Sequence, residues 1–495
     1  MSASKAVVVG AGPNGLVAAV ELALRGVDVT LLEAADGIGG GLRSRELTEP
    51  GHVHDVCAAV FPMGVGSPAL RALPLARHGL RWIQPEVPLA HPLDDGRAVV
   101  VHRSLERTVR ELGADGPAYA RLVEAVATRW WDFAHDALGP PRLPRSPLLM
   151  ARFGLRALRS AASLAESAFR GEEARALFAG CAAHSFLPLE RGPSAAFGIV
   201  LLGAAHAVGW PFVEGGSQRL ADALAALLAA HGGEILTGRH VRDLDDVPRA
   251  DAVLLDLAPA QLLEIAGARL PRGYGRALAE YRYGPAVFKL DWALDAPIPW
   301  SAEGCRKAGT VHVGGTLDEI AESERAPWDG RVSGRPFVLV AQPTLCDPTR
   351  APAGRHTAWA YCHVPPYYDG DATAAIEAQI ERFAPGFRDR IVAHSVLAPD
   401  DFERANPAYV GGHVVGGVPT YRQLVTRPTL STTPYATPLP GVYLCSQATP
   451  PGGGAHGMCG FHAARAALRR LGSPAGSAPG NPPSSPSRLR AARGR

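Results

Sequence analysis

The sequence predicts an α/β fold: a Rossmann-like domain that is discontinuous in the chain, beside a second domain of mixed α+β structure. Three observations carry this. A short β-branched run, Lys5 to Val9, leads into GAGPNG and then into a helix-patterned stretch. Strand-like and helical segments return near residues 215 to 258, and again as GVYLCS near the C-terminus. Between them lie alternating segments such as AVFKLDWAL and PFVLVAQPTL, typical of antiparallel sheet.

The first segment reads as strand, glycine turn, helix and strand. Pro13 to Arg25 has helical spacing, Gly26 ends it, and VDVTLLE follows. Residues 86 to 214 turn mostly helical, with breaks at Pro140, Pro141, Pro144 and Pro147. Gln218 to Ala230 is again helical, EILTGRHVRDL and ADAVLLDLA are strand-like, and a last helix runs over 457 to 471. The expected division is therefore 1–85, 215–285 and 430–472 for the first domain, and 86–214 with 286–429 for a substrate domain. The stretch 473–495, rich in Pro, Ser, Gly and Arg, is expected to be disordered.

Composition narrows the function classes. At 495 residues the chain is long enough for two or three domains, and 47% hydrophobic with 20% charged residues suits a globular protein. The net charge of +3 owes much to Arg488, Arg490, Arg493 and Arg495, so the body is nearly neutral and no nucleic-acid partner is expected. Seven scattered cysteines without a CxxC argue against a disulfide framework and against a metal site. No stretch of about 18 apolar residues suggests a spanning helix, and the N-terminal run passes straight into glycines. A cytoplasmic protein is expected.

Gly10, Gly12 and Gly15 form a GxGxxG pattern between a strand and a helix. Gly10 permits the tight turn, Gly12 leaves room for a pyrophosphate, and Gly15 allows close packing of helix on strand. The helix N-terminus then faces the phosphates. Glu33, 18 residues beyond Gly15, ends the second strand as the acid that accepts ribose hydroxyls. A glycine pattern alone is a weak signal, whereas strand, helix, second strand and terminal acid together make a dinucleotide site. A second turn, Gly39-Gly40-Gly41-Leu42-Arg43, follows at once and favours FAD, because it lets backbone pass over an extended flavin dinucleotide while Arg43 reaches its phosphates or flavin edge.

GGGAHGMCG repeats the pattern through Gly452, Gly454 and Gly457, but no acid-ended strand follows it. It reads as a turn and helix N-terminus closing over the flavin's ribityl chain and pyrimidine edge. No complete nicotinamide domain is present, so dioxygen or a quinone is the expected electron acceptor.

GAGPNG with Glu33, IGGGLRSREL, VEGGSQRLADAL, EILTGRHV, DPTRAPAGRH and GVYLCSQATPPGGGAHGMCG together resemble the bacterial phytoene desaturase-like flavoproteins. The resemblance is strongest to the branch around the pyridine nucleotide-disulfide oxidoreductase domain 2 protein, and runs over nearly the whole chain to residue 472. It implies that Gly10, Gly12, Asn14, Gly15, Glu33, Gly40, Gly41 and Arg43 line the ADP half and pyrophosphate of FAD. Val241 would hold the adenine through its backbone, and Gly454, Ala455, His456 and Gly457 would lie by the flavin ring. Two departures stand out: Ser446-Gln447 replaces a Gly-Asp pair common in flavoproteins, and His456 stands where relatives tend to be apolar. Disulfide chemistry is not expected, since only Cys57 lies near the first motifs.

The resemblance implies dehydrogenation, desaturation or isomerisation of a hydrophobic small molecule of carotenoid or lipid type. Flavin-dependent amine oxidation is the alternative within the same family, and a non-catalytic flavin-binding regulatory protein is the alternative outside it. Among His184, His206, His363 and His456, the last is the candidate catalytic residue because the closing motif puts it beside the flavin. Pro147 to Phe169 reads as a basic amphipathic helix, with Arg152, Arg156 and Arg159 on one face. An ordinary surface helix is the favoured reading of it, and peripheral membrane contact the alternative.

Overall fold

The computed structural model describes residues 3–472; the 473–495 stretch lies outside the described residues. Sixteen strands are described, beginning with β1 (Lys5–Val9) and β2 (Asp28–Leu32), then β3 (Ser44–Glu46), β4 (Val53–Asp55), β5 (Trp82–Ile83), β6 (Val87–Pro92), β7 (Ala98–Val101) and β8 (Phe212–Val213). The rest are β9 (Glu234–Leu236), β10 (Ala252–Leu255), β11 (Ala286–Leu294), β12 (Ala308–Val313), β13 (Val338–Ala341), β14 (His356–Val364), β15 (Ile391–Leu397) and β16 (Val442–Leu444).

Five of them form a parallel sheet in the order β16-β10-β1-β2-β9. Val7, Val8 and Val9 pair with Val253, Leu254 and Leu255 on one side, and with Thr30, Leu31 and Leu32 on the other. Residues 442–444 thus join the sheet of β1 through β10. Such short apolar runs are those of a sheet covered on both faces. The covering helices include Pro13–Ala23, Gln218–Ala230 and Met458–Arg470. The first and last of these cross very closely: a Cβ on Gly460 would lie 1.8 Å from the carbonyl oxygen of Asn14.

The second sheet runs β15-β11-β14-β13-β12-β6-β7, antiparallel except where β12 meets β6. Strands β6 and β7 lie at the start of the stretch expected to be mostly helical. The hairpin turn Asp94-Asp95-Gly96 and the Val99–Val101 run were too short to stand out against the helices behind them. The stretch read as one helix from Pro147 to Phe169 is two, Pro147–Ala157 and Ala161–Ala168, because Ser160 caps a new helix by accepting from the Ser163 N–H. EILTGRHVRDL is extended only over Glu234–Leu236.

A buried polar clamp ties the β3–β4 hairpin to the start of helix Gln218–Ala230 and to the segment between β13 and β14. Asp55 accepts from Arg350 Nη2 at 2.6 Å, Ser44 Oγ at 2.7 Å and the Ser217 N–H at 2.8 Å. Asp347 in turn accepts from the Gly215 N–H at 2.7 Å. Burial is the largest influence on the Asp55 carboxyl and would raise it, but the Arg350 guanidinium together with the Ser217 and Ser44 hydrogen bonds holds the group below its ordinary range. Three segments far apart in sequence therefore meet at one carboxylate.

Strand β11 is buried along its whole length and alternates strictly. Phe288, Leu290, Trp292 and Leu294 enter a core with Ile376, Ile380 and Phe383. The other face presents Lys289 and Asp291, which pair with each other. His54 Nδ1 lies 3.3 Å from the second Asp291 oxygen. Removing one partner of a buried pair strands the other charge, at a cost of about 3–5 kcal/mol. Lys289→Met should therefore lose about that much stability, while Lys289→Met/Asp291→Leu should lose much less. Denaturant unfolding in a double-mutant cycle measures the difference; additive losses would mean that the two charges are not coupled.

Candidate functional site: a glycine-lined cleft facing a buried polar sheet

The first turn leaves β1 at Gly10, whose N–H donates to Leu32 O at 2.7 Å. Gly12 is the N-cap of helix Pro13–Ala23 and supplies no side-chain cap, so the helix presents its positive end to the cleft. Asn14 is buried there with its Oδ1 lacking a hydrogen-bond partner. The second turn stacks on the first, with a Cβ on Gly40 only 3.1 Å from Gly12 Cα. A side chain at either position would close this backbone cradle, which suits the close approach that a dinucleotide pyrophosphate requires.

Glu33 is 8% exposed and pinned by the chain. Its Oε2 accepts from the Ala11 N–H at 2.8 Å, and its Oε1 from the Ala35 N–H at 2.9 Å. Arg43 Nη2 approaches Oε1 at 3.4 Å. The same guanidinium donates to Gly37 O at 2.8 Å and Ala405 O at 3.1 Å. Arg43 thus orients Glu33 through its Nη2, while its buried Nε has no hydrogen-bond partner. Gly41 makes room for another chain segment, since a Cβ there would lie 2.1 Å from the Tyr409 hydroxyl. Val241 is buried among Val7, Val9, Leu32 and Leu255, two residues beyond Arg239, whose N–H donates to Glu33 O at 2.8 Å.

At the closing turn, Gly454 is exposed, with His456 and Met63 nearest the position of a Cβ. Ala455 beside it holds a positive φ of 50°. Gly457 lies against Val17 of the first helix. His456 is buried, and its ring is committed to the backbone: Nδ1 accepts from the Met458 N–H at 3.1 Å, capping the last helix. Burial pushes it down to about 4, so it is neutral at pH 7. This geometry makes His456 a helix cap more than an accessible base. Gln447, at the departure from the Gly-Asp pair, donates to Val414 O at 3.0 Å.

The other candidate histidines are dispersed. His206 bonds Tyr119 at 2.7 Å within the helical region, and His184 faces His312 at 3.1 Å. His363 lies on β14, 2.7 Å from Glu324. The second sheet adds residues that motif reading did not reach. Trp359 and Tyr361 of β14 stack at 5.9 Å and 9°, opposite Asp291 and Lys289 in register. Lys289 Nζ stands 5.6 Å from the Trp359 ring centroid. Ala59, Phe212 and Leu339 pack around the same tryptophan. Cys57 meets the Tyr409 hydroxyl, and burial raises its thiol despite that bond. The signal for this face was in the sequence: two charges inside the apolar run AVFKLDWAL have no place on a strand unless one face looks into a polar site. A separate cavity of about 280 Å³, lined by Val247, Val253, Leu439 and Val442 among others, opens at the opposite end of the parallel strands and is not part of this arrangement.

Comparison with known proteins agrees with this geometry. A family model described as NAD(P)-binding Rossmann-like domain matches residues 8–73. Pyridine nucleotide-disulfide oxidoreductase domain-containing protein 2 of Mus musculus is 26% identical over 94% of this chain and 93% of its own. A neurosporene-forming phytoene desaturase of Rhodobacter capsulatus is 27% identical over 80% of this chain and 82% of its own. Among solved structures, an oxidoreductase from Methanosarcina mazei superposes with a TM-score of 0.64 at 18% identity, covering 94% of this chain and 100% of that one. Wild-type putrescine oxidase bound to putrescine superposes at 0.60 and 17%, covering 95% and 99%. These last two share the fold. Over most of its length the chain is thus a distant relative, at 26–27% identity, of pyridine nucleotide-disulfide oxidoreductase domain-containing protein 2 and of a phytoene desaturase, as the resemblance carried by its motifs implies.

Proposed function

We propose that the chain is an FAD-dependent oxidoreductase that dehydrogenates, desaturates or isomerises a hydrophobic small molecule of carotenoid or lipid type. The observation that carries this is the pairing of two glycine turns and a pinned Glu33 with a second, enclosed sheet face bearing Trp359, Tyr361, Lys289 and Asp291. In this reading Glu33 accepts the ribose hydroxyls, held in place by Arg43, Ala11 and Ala35. Gly10, Gly12, Asn14, Gly15, Gly40 and Gly41 line the ADP and pyrophosphate, Val241 holds the adenine, and Gly454 to Gly457 lie by the ring. A bound flavin supplies a two-electron acceptor for hydride. The protein supplies a dry aromatic wall and a buried cluster, His54, Asp291 and Lys289, able to hold the proton that leaves with the hydride. Dioxygen or a quinone takes up the electrons afterwards.

Amine oxidation is the second reading, favoured by the stacked Trp359–Tyr361 pair and the fold shared with putrescine oxidase. Against it, the ammonium of Lys289 already stands over the Trp359 face, where an amine cation would have to sit.

A lipophilic substrate also fits the surface. Leu148, Leu155 and Leu158, 80%, 78% and 54% exposed, share one face of helix Pro147–Ala157 and its C-cap. The Tyr421 hydroxyl donates to Leu158 O at 2.5 Å, joining them to exposed Leu424 and Val425. Exposed Arg145 and Arg152 flank this face and meet no carboxylate within ion-pair distance among the described residues. Arg427, two residues beyond Val425, lies against Gly452 of the closing turn, so the apolar face adjoins the flavin end of the cleft. The arrangement supports peripheral contact with an anionic bilayer.

Three measurements test these readings. Anaerobic flavin bleaching against carotenoids, fatty acyl compounds, amines, NADH and NADPH should show reduction by a hydrophobic C–H donor. Bleaching by amines alone would replace the proposal, rapid bleaching by a nicotinamide would overturn the acceptor assignment, and no bleaching by any compound would favour a non-catalytic flavin protein. Glu33→Ala should weaken FAD binding by about 2 kcal/mol, from the loss of a charge-assisted acceptor; wild-type affinity would remove Glu33 from the ribose. Co-sedimentation with phosphatidylserine vesicles should fall by roughly tenfold in Leu155→Glu/Leu424→Glu, and equal binding by both proteins would exclude this face.

A further inference from the structure

Asp256 follows directly on β10, in the segment ADAVLLDLA. Its Oδ2 accepts from the Gly15 N–H at 2.8 Å, and a Cβ on Gly12 would lie 2.8 Å from the same oxygen. Gly15 is the third residue of the helix that opens at Gly12, so this N–H is one of the unpaired donors that make a helix N-terminus attractive to phosphate. The carboxylate therefore stands against the glycine surface that a pyrophosphate would need. Protein surrounds Asp256, yet the residue keeps part of its surface accessible, as a group lining a narrow cleft does.

We propose that Asp256 is a specificity-determining residue of the dinucleotide cleft: ionised, its carboxylate holds the phosphate position on the Gly12–Gly15 turn against the cofactor, and neutral, its hydroxyl donates to the bound pyrophosphate. Cofactor binding near pH 8 then takes one proton from solvent onto the Asp256 carboxylate, with no other bond made or broken.

The surrounding charges support this. Glu33, at the end of β2, is a like charge facing Asp256, and its cation, Arg43, is shared with two carbonyl groups. Tyr409, Cys445 and Cys459 face Asp256 from three other segments. Burial pushes each of these upward, Cys459 to about 11, so all three are neutral at pH 7 and none offsets the carboxylate. For Asp256 itself burial is the largest influence and raises it, the Gly15 N–H lowers it and Glu33 raises it further, to about 7. A pyrophosphate adds negative charge to the same turn and favours the neutral form more strongly. The sign follows: protons bind the complex better than the free protein, so affinity is full below about pH 7 and falls as pH rises.

The inference rests on the FAD reading, and its test separates the two. Full-length protein is freed of flavin and titrated with FAD from pH 6 to pH 9, following flavin fluorescence. Proton uptake is measured by calorimetry in two buffers of different ionisation enthalpy. Wild-type Kd should rise by up to roughly tenfold per pH unit above neutrality, with close to one proton taken up per FAD at pH 8. Asp256→Asn should bind FAD with a flat pH profile and no proton uptake, matching wild type at pH 6 and exceeding it at pH 9. Asp256→Ser provides the same comparison if the asparagine variant does not fold. A flat wild-type profile, or a variant as steep as wild type, would overturn the role of Asp256 while leaving FAD binding in place. Failure of wild type to bind FAD at any pH would overturn both.

Discussion

A Cβ at residue 15 would stand 1.9 Å from the carbonyl oxygen of Gly10, and one at residue 460 would stand 1.8 Å from that of Asn14. Backbone lies on backbone at both places, and these contacts fix the helix that follows the first turn. The helix can approach β1 only because residue 15 lacks a side chain. The last helix can cross it there only because residue 460 does too. Everything the cleft needs is referred to this seam. The Gly12 N-cap, the stacked turn at Gly40 and the closing turn at Gly454–Gly457 all hang from two helices whose spacing leaves no room for adjustment. Protein interiors are packed too densely for a Cβ to be absorbed at such distances.

The seam also explains why the domain is split along the chain. Strand β16 and the helix after it are the last elements among the described residues, yet β16 completes the sheet begun at Lys5. The segments between them hold the second sheet, together with the clamp at Asp55, Arg350, Ser217 and Ser44. Two of the sequence motifs, VEGGSQRL and DPTR, meet at this clamp. Gly216 belongs to it for a steric reason, since a Cβ there would lie 2.6 Å from Ser44 Oγ. These motif residues thus tie the start of helix Gln218–Ala230 and the segment between β13 and β14 to the β3–β4 hairpin.

What could be read from the sequence was what is local. GAGPNG with its flanking strands and Glu33 forms one continuous unit of about thirty residues, and its turn chemistry is contained within it. The Gln218–Ala230 helix and the buried strands β10 and β16 were legible from periodicity for the same reason. What could not be read was pairing across hundreds of residues. Nothing near Arg43 announces that its guanidinium reaches Ala405, and nothing near Asp256 announces that it caps a helix 241 positions earlier. For His456, proximity to the closing turn did not say which way the ring points. Its Nδ1 is used two residues away, at Met458. The hairpin of β6 and β7 was hidden by its length, and nothing near Gly41 announces that Tyr409 packs against it.

The second sheet carries a cost that stability alone does not explain. Transferring two ions into a protein interior costs several kcal/mol per ion, and well-packed apolar residues in their place commonly leave a fold as stable or more so. Strand β11 displays both solutions on one strand: its outer face is Phe288, Leu290 and Trp292, and its inner face is Lys289 and Asp291. The inner pair sits beside His54, under the Trp359–Tyr361 stack, on the side turned toward residues 57–61 of the glycine-turn domain. Charges placed there, and hydrophobes placed on the opposite face of the same strand, mark the inner face as the one where polarity is used. An enclosed aromatic wall strengthens every electrostatic interaction within it by excluding water. The same enclosure that makes the ion pair expensive to bury makes its electrostatic interactions strong.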